Sequence, residues 1–470
     1  MAWRLLAAAV MLVVIVDGAR RSLPAGELRD FGSFVASAKA GREGANPYGI
    51  HPLTFHVVVP RFDVWNPNLN PPISVLLFRP FTAAAPHVAF KWWWGISFVC
   101  YVLAIALLVH RYGGKDGPLL ALWALAAAGF WDTLALGQIY LPLVLATVVA
   151  WLLLERGRAV AAGVLIGFIV AVKPNFAAWP AVLLLAGHLR APLTAFAVTA
   201  ILSTIPLLTH GSAIYTQWAG VILADESRTA FLTNASIPGL AARVGVPAAG
   251  MIAAVAVLAI VAAWAFRSKP SPLEASAIGM VAAIAASPIA WVHYTLLLLP
   301  VFFRWPRSTW LLPAAMLLVV PVPMVLRFLD APLWQQATIG SVYNWAVILC
   351  LVRDRPSAGV PGGSRGFSRV PEGSRGFSGV PGGSRWFQVV PVGSRRFQRV
   401  PGGSRRFQRV PGGSGFKSAK FAESAESTEP AQSPLSPRSW AQSEFPPATG
   451  VDSKSARFGS ATEEPPQPRA

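Results

Sequence analysis

The sequence predicts an all-α, polytopic membrane protein: a bundle of about 12 transmembrane helices followed by a disordered cytoplasmic C-terminal tail. Three observations carry this. Of the 470 residues, 54% are apolar and only 13% are charged, more apolar surface than a water-soluble chain of this size can hide. The apolar residues fall in long runs nearly free of charge. The net charge of +19 is also unevenly spread, with 22 basic and 12 acidic residues in 1–352 against 18 and 9 in 353–470. An apolar body is joined to a basic tail.

The runs lie at about 3–16, 92–109, 118–131, 139–154, 159–172, 174–189, 191–209, 244–266, 275–289, 292–303, 308–326 and 338–352. Several fall short of the roughly 20 residues a perpendicular span needs, so flanking residues are expected to complete them. The stretch 72–90, broken by Pro72, Arg79, Pro80 and Pro86, reads as a re-entrant or thirteenth segment. With the N-terminus inside, the inner loops hold Arg111, Lys115, Arg156, Arg158, Arg190, Arg267, Lys269, Arg304 and Arg307, and the outer connections, leaving aside the long first loop, only Lys173, Arg228, Arg243 and Arg327. That asymmetry favours a cytoplasmic N-terminus, and an even span count returns the tail to the same side. Residues 1–19 also fit a cleaved signal peptide with Arg4 as its basic end; a chain with many spans more often keeps such a segment as its first helix.

Three parts follow: a transmembrane domain at 1–352, a basic repeat segment at 353–413 and a Ser/Pro/Ala/Glu-rich tail at 414–470. The two cysteines, Cys100 and Cys350, each sit in an apolar run and read as small packing residues rather than a disulfide framework or metal cluster.

The expected topology sorts polar sequence to the outer face. Two hydrophilic stretches, 17–91 and 210–243, lie there, and so do W-D-T-L-A-L-G-Q at 131–138, K-P-N-F at 173–176, N-A-S-I-P-G-L-A-A-R at 234–243 and S-P-I-A-W-V-H-Y at 287–294. The inner loops are short and plain. The outer loops contain no D-x-D and no His/Asp cluster at ligand spacing, and the chain has no Gly-rich nucleotide cradle. Neither a metal nor another cofactor is expected. The inner loops are also too small to build a nucleotide-sugar domain.

Taken in order, L-R-D-F-G-S-F-V-A-S-A-K-A-G at 28–41, N-P-Y at 46–48, N-P-P at 70–72, G-Q at 137–138, K-P at 173–174, N-A-S-I-P-G-L-A-A-R and S-P-I-A-W-V-H make the chain resemble glycosyltransferase family 87. These are polytopic GT-C enzymes that use polyprenyl-phosphate sugars. No single element is specific; the order, the spacing and the shared membrane side carry the likeness, over about residues 1–350. It implies a GT-C-like bundle, a polyprenyl-phosphate-linked sugar donor, a lipid or glycan acceptor and a plasma-membrane location with an extracytoplasmic site.

Inverting transfer from such a donor needs a carboxylate to take the acceptor proton and a cation or N–H groups to receive the leaving phosphate. The outer carboxylates form a short set: Glu27, Asp30, Glu43, Asp63, Asp132, Asp225, Glu226 and Asp330. Asp30 is the first choice as base, since the resemblance puts a catalytic acid soon after the first span; otherwise it is an interfacial acid paired with Arg20, Arg21 or Arg29. Asp63 is the runner-up, on the substrate side. Asp132, at a helix end, fits the site or a structural ion pair.

Lys173, after a long apolar run and before Pro174, is expected to grip the lipid phosphate; the bland alternative is a snorkelling lysine. Arg243 is a second phosphate candidate among frequent interfacial arginines. Gln138 and Asn234 either bond sugar hydroxyls or cap helices, and Asn234 also opens an N-A-S sequon. His293 interrupts a run from 275 to 303, and a polar group at that depth faces the interior or a wet cavity. Its role is proton transfer or phosphate binding, unless a carbonyl simply holds it. Where the family pattern often has an acid just before this histidine, Val292 stands here, so a role needing that acid is in question.

From Val360 the chain repeats V-P-G-G-S-R-G-F-S-R with variation, ten residues at a time, as far as Val410 and beyond, carrying ten arginines and one glutamate. Pro and Gly in each unit exclude regular structure. The segment is either an expanded repeat without a selected role or a contact with the anionic inner leaflet; no nucleic acid partner is expected. The function read from the whole is hexosyl transfer, most readily mannosyl. The competing class is a transporter or flippase, which favours internal symmetry and mid-membrane helix breaks that this sequence lacks.

Overall fold

In a computed structural model of the chain the described residues are 2–352 apart from 25, 61, 225 and 226. The repeats and the tail, with their expected disorder and leaflet contact, lie outside the described residues, as do Asp225 and Glu226.

The apolar runs fold as helices, but not as about 12 transmembrane ones. Three helical segments are long and apolar enough to cross a membrane: Pro86–Ala126 with 41 residues, Arg190–His210 with 21 and Pro247–Ser268 with 22. The expected count is corrected to these three among the described residues. The remaining apolar helices, including Tyr140–Glu155, Ala159–Val172, Pro174–Leu185, Pro272–Ala285 and Val292–Arg304, run only 10–17 residues. The physical reason lies at their ends. Gly137, Gly157 and Gly187 turn with φ of 69°, 71° and 93°, the left-handed conformation in which helices stop. Pro174 and Pro288 interrupt two further runs, since proline cannot continue the hydrogen-bond ladder.

Apolar composition alone does not say which surface a helix faces. The three long segments are 33, 22 and 22% buried over their most apolar windows, whereas the short helices form the core. In Tyr140–Glu155 the side chains of Tyr140, Leu141, Leu143, Val144, Val148 and Trp151 are fully buried. Glycines bring neighbours close: a Cβ on Gly163 or Gly167 would stand 2.4 or 2.5 Å from the carbonyl oxygens of Ala191 and Ala195. Helix Ala159–Val172 therefore packs backbone to backbone on Arg190–His210, and Thr199 Oγ1 donates to the Gly167 carbonyl across the seam at 3.0 Å.

One element departs from the all-helical pattern. Strands β1 (Phe55–Val59) and β2 (Phe62–Asn66) pair antiparallel, with Phe55 opposite Asn66 and His56 opposite Trp65. Strand alternation turns Phe55, Val57, Val59, Phe62 and Val64 toward a large cavity. The opposite face carries His56, Asp63 and Trp65; the His56 ring stacks on Trp65 at 4.3 Å and its Nε2 meets Asp63 Oδ1 at 2.6 Å. Ser33 ties the hairpin down, donating to the Asn66 carbonyl at 2.7 Å and accepting from the Phe55 amide at 2.9 Å.

Other basic residues gather away from that cavity. Arg4 and Arg307 both reach Asp116, at 3.2 and 3.4 Å, and Arg111 pairs with Glu155 at 2.8 Å. None of these three arginines lines the cavity.

Candidate active site

The cavity has a volume of about 1560 Å³. Of the residues singled out from sequence, Asp30, Gln138, Lys173 and His293 line it, together with the carboxylates Glu27 and Asp132. Each arrives from a different element. Asp30 stands in the first turn of helix Arg29–Arg42, beside Arg29, whose φ of 46° is unusual for a residue with a side chain. Gln138 follows Gly137, the left-handed stop of helix Ala128–Leu136. A Cβ at Gly137 would meet Phe31 and Phe90 at 2.6 and 2.8 Å, so the G-Q pair is required by space as well as by φ.

Both oxygens of Asp30 are held by amides. Asn66 Nδ2 donates to Oδ1 at 2.6 Å and Gln138 Nε2 donates to Oδ2 at 2.6 Å. Asp30 is buried, and desolvation raises its carboxyl from the usual 3.8 to about 6, against the lowering effect of both amides and of Lys173; Asp132 pushes the same way as burial. None of its sequence-expected partners Arg20, Arg21 and Arg29 holds it; Arg29 turns to Glu27 at 3.4 Å and Arg21 to Asp17 at 2.9 Å.

Lys173 caps the C-terminal end of helix Ala159–Val172 and is also buried. Its Nζ lies 4.6 Å from the centre of the Tyr140 ring and 5.4 Å from that of Tyr294, an attraction between a cation and the negative ring faces. Burial pulls its amine down to about 7, opposed by the charge of Asp30. Near neutral pH, therefore, this pair can hold a negative and a positive group in one cavity or give up that charge separation easily. Perturbed groups of this kind concentrate at functional sites.

His293 completes the wall. It sits in the 3₁₀ turn Val292–Leu298, is 2% exposed, and its ring lies 4.3 Å from that of Tyr140. Its Nδ1 is 3.2 Å from Asp132 Oδ2, while its buried Nε2 has no hydrogen-bond partner among the described residues. The acid beside this imidazole thus comes from helix Ala128–Leu136, and not from the position before the histidine.

Asn234, Arg243 and Asp63 lie elsewhere. Asn234 is fully buried and clamps two loops: its amide donates to the carbonyls of Thr229 and Pro288 at 2.8 and 3.0 Å, and its oxygen accepts from the amides of Ser236 and Ala290 at 3.2 and 2.9 Å. Gly239 leaves it room, since a Cβ there would stand 2.6 Å from Asn234 Cγ. Ser236 caps the following helix Ile237–Arg243. Arg243 closes the same knot, donating to the carbonyls of Phe231 and Asn234 at 2.7 and 3.1 Å and to Asn344 Oδ1. Asp63 is on the outward face of the hairpin with His56.

Sequence reasoning missed Asn66 and the tyrosine walls. Asn66 belongs to N-P-N-L-N-P-P, where alternating asparagines recur at 66, 68 and 70; Asn68 donates to Ser37 and Ser74 at 3.1 and 2.9 Å, so the whole segment is a polar clamp on helix Arg29–Arg42. Tyr140 and Tyr294 gave no signal, being apolar-run residues whose ring faces matter only in three dimensions. No group of three or more His, Cys, Asp or Glu among the described residues is arranged to hold a metal ion.

No curated protein and no solved structure matches the chain. Residues 68–288 match the model of Glycosyltransferase family 87, a stretch that contains Asp132, Gln138, Lys173, Asn234 and Arg243, with Asp30 and His293 on either side of it. With that match and its long apolar helices the protein is membrane-associated. Over those residues, a little under half of the chain, it is similar to glycosyltransferase family 87, and that similarity supports an enzyme of the glycosyltransferase class.

Proposed function

We propose that the protein moves a hexosyl group, in the first instance mannosyl, from a polyprenyl-phosphate donor to a lipid or glycan acceptor at the extracytoplasmic face of the cell membrane. The observation that carries this reading is the pairing of buried Asp30 with buried Lys173 on one cavity. The acceptor hydroxyl gives its proton to Asp30 as its oxygen bonds the anomeric carbon. The bond from that carbon to the phosphate oxygen breaks on the opposite side, and the lipid phosphate leaves with its electron pair toward Lys173. A carboxyl with a raised pKa is suited to taking a proton near neutral pH, and a cation held by ring faces is suited to receiving a phosphate.

Beyond these groups the cavity wall becomes apolar and small: Val182, Leu185, Leu258, Val261, Ala262 and Ala282 line it. That is the surface a polyprenyl chain would follow. The extracytoplasmic assignment rests on the excess of basic residues in the short loops expected inside; Arg4, Arg111 and Arg307 lie off the cavity, whereas Arg21, Arg29 and Arg228 line it. Asn234 and Arg243 support the site by tying loop 229–236 to the backbone at 288–290 and to Asn344.

The test is transfer of label from polyprenyl-phosphate mannose in membranes holding the wild-type chain or Asp30→Asn. Asp30→Asn should lower the rate by about 10²- to 10⁴-fold, the range of a general base. Equal rates would remove Asp30 as base. No transfer by the wild type from mannosyl, arabinosyl or glucosyl donors would remove the reaction.

A further inference from the structure

Beside Asp30 the cavity is lined by Asp17 and Glu27, which pair with Arg21 and Arg29, and by Asp132, whose helix is built to meet His293. Asp132 lies one turn after Gly129 in helix Ala128–Leu136. A Cβ on Gly129 would stand 2.9 Å from the Val292 carbonyl oxygen and 3.1 Å from His293 Cα. Only glycine lets the helix come this close to the 3₁₀ turn without displacing it. The side chain three positions on then reaches the imidazole at 3.2 Å.

The consequence for the ring follows from hydrogen-bond chemistry. A carboxylate accepts only, so the nitrogen facing Asp132 must carry the proton. In a neutral imidazole the other nitrogen, Nε2, then holds a lone pair. That atom is buried and unpartnered in a residue lining the cavity, and a buried acceptor left unmade costs about 1–3 kcal/mol. The groups facing the ring are Asp132 from helix Ala128–Leu136, Tyr140 from helix Tyr140–Glu155, Lys173 beyond helix Ala159–Val172, and its own neighbour Tyr294. Burial lowers the pKa of His293, and Lys173 adds to this against the opposing pull of Asp132.

We propose that Asp132 is a positioning residue that locks His293 in the Nδ1–H form and so presents the Nε2 lone pair to a hydroxyl of the sugar bound in the cavity. Two of the cavity's carboxylates then have separate tasks. Asp30 faces the amides of Asn66 and Gln138 and takes the acceptor proton; Asp132 acts only through the imidazole. A hydroxyl is the ligand because Nε2 offers an acceptor and no proton, which suits a neutral O–H group and repels a phosphate oxygen. The inference rests on the transferase reading, yet part of its test does not.

The full-length protein is labelled with ¹⁵N-histidine in detergent, with His293→Gln assigning the signal, and transfer is measured alongside. The expected result is an Nδ1–H tautomer at His293 that Asp132→Asn shifts toward Nε2–H, because an asparagine NH₂ can donate to Nδ1. Asp132→Asn should also lower kcat about 10- to 100-fold with the donor KM little changed, and Asp132→Glu should recover part of the loss. An Nε2–H tautomer in the wild type overturns the proposal, as does a normal kcat in Asp132→Asn. Loss of transfer in Asp30→Asn with none in Asp132→Asn removes this inference alone. If no transfer is seen in the wild type, the transferase reading fails, and the tautomer and its response to Asp132→Asn still decide the positioning.

Discussion

Gln138→Leu separates two jobs that a residue touching Asp30 can perform. Among the described residues the only hydrogen bond of the Gln138 side chain is the one from Nε2 to Asp30 Oδ2, and its buried Oε1 has no partner there. Leucine keeps the bulk and removes that donor. The bond favours the ionised carboxyl, so its loss moves Asp30 further up from about 6. A hydrogen bond to a charged acceptor contributes about 1.5–3 kcal/mol, and about 1.4 kcal/mol corresponds to one pH unit. The acid limb of kcat should therefore rise by about one to two pH units. At pH 6, where the wild-type carboxyl is about half ionised, the variant should be slower by about 5- to 50-fold. At pH 9 the two should agree, since both are then ionised and any loss from deprotonation of Lys173 is shared. The assay is label transfer in membranes across pH 5–9 at saturating donor. A deficit of the same size at every pH would refute the reasoning and make Gln138 a contact to substrate instead.

Three further substitutions test the remaining groups. Lys173→Met should raise the donor KM about 10-fold or more, by loss of a charged contact, and should move the acid limb upward because Lys173 lowers the pKa of Asp30; pH profiles check both. Asp30→Asn should stabilise the protein while slowing transfer. The folded carboxyl titrates at about 6 and the unfolded one at 3.8, so the destabilisation is absent below the lower value and complete above the higher. Thermal unfolding in detergent should show a gain of about 3 kcal/mol at pH 8 that vanishes below pH 4. Asn234→Ala strands four buried groups and should cost about 3–5 kcal/mol with little change in KM at permissive temperature. An unchanged Tm would refute its role as a clamp.

How much of this was legible in the sequence depended on whether the cause was local. The helical class, the close placing of Asp30 after the first helix and the Lys173–Pro174 stop are written in short stretches of chain. The number of spans was not, because a run such as 139–154 reads the same facing lipid or facing protein. Only packing distinguishes them, and here the run is core, with Tyr140, Leu143, Val148 and Trp151 fully buried. The partners of Asp30 were hidden for a related reason: Asn66 and Gln138 lie 36 and 108 residues away, a pairing that no spacing rule detects. The N-A-S-I-P-G segment misled in an instructive way. Each of its polar or unusual residues has a local structural task, with Ser236 capping a helix, Pro238 in that helix's first turn and Gly239 making room for Asn234.

The energetics argue that the cavity residues are kept for chemistry rather than for the fold. Asn234 and Arg243 are buried polar groups whose bonds all go to nearby backbone or to Asn344, and such groups strengthen the structure they tie together. Asp30 and Lys173 behave in the opposite way. Burial disfavours the charged form of each, and the attraction between them only partly offsets it. A leucine or methionine in either place would pack as well and lack that penalty. What the protein gains from bearing it is a carboxylate and an ammonium that face one cavity without neutralising each other, because amides hold the first and tyrosine rings hold the second. An arriving hydroxyl and an arriving phosphate would each find a partner whose charge is already positioned, and the cost of arranging them has been met in folding rather than at the moment of transfer.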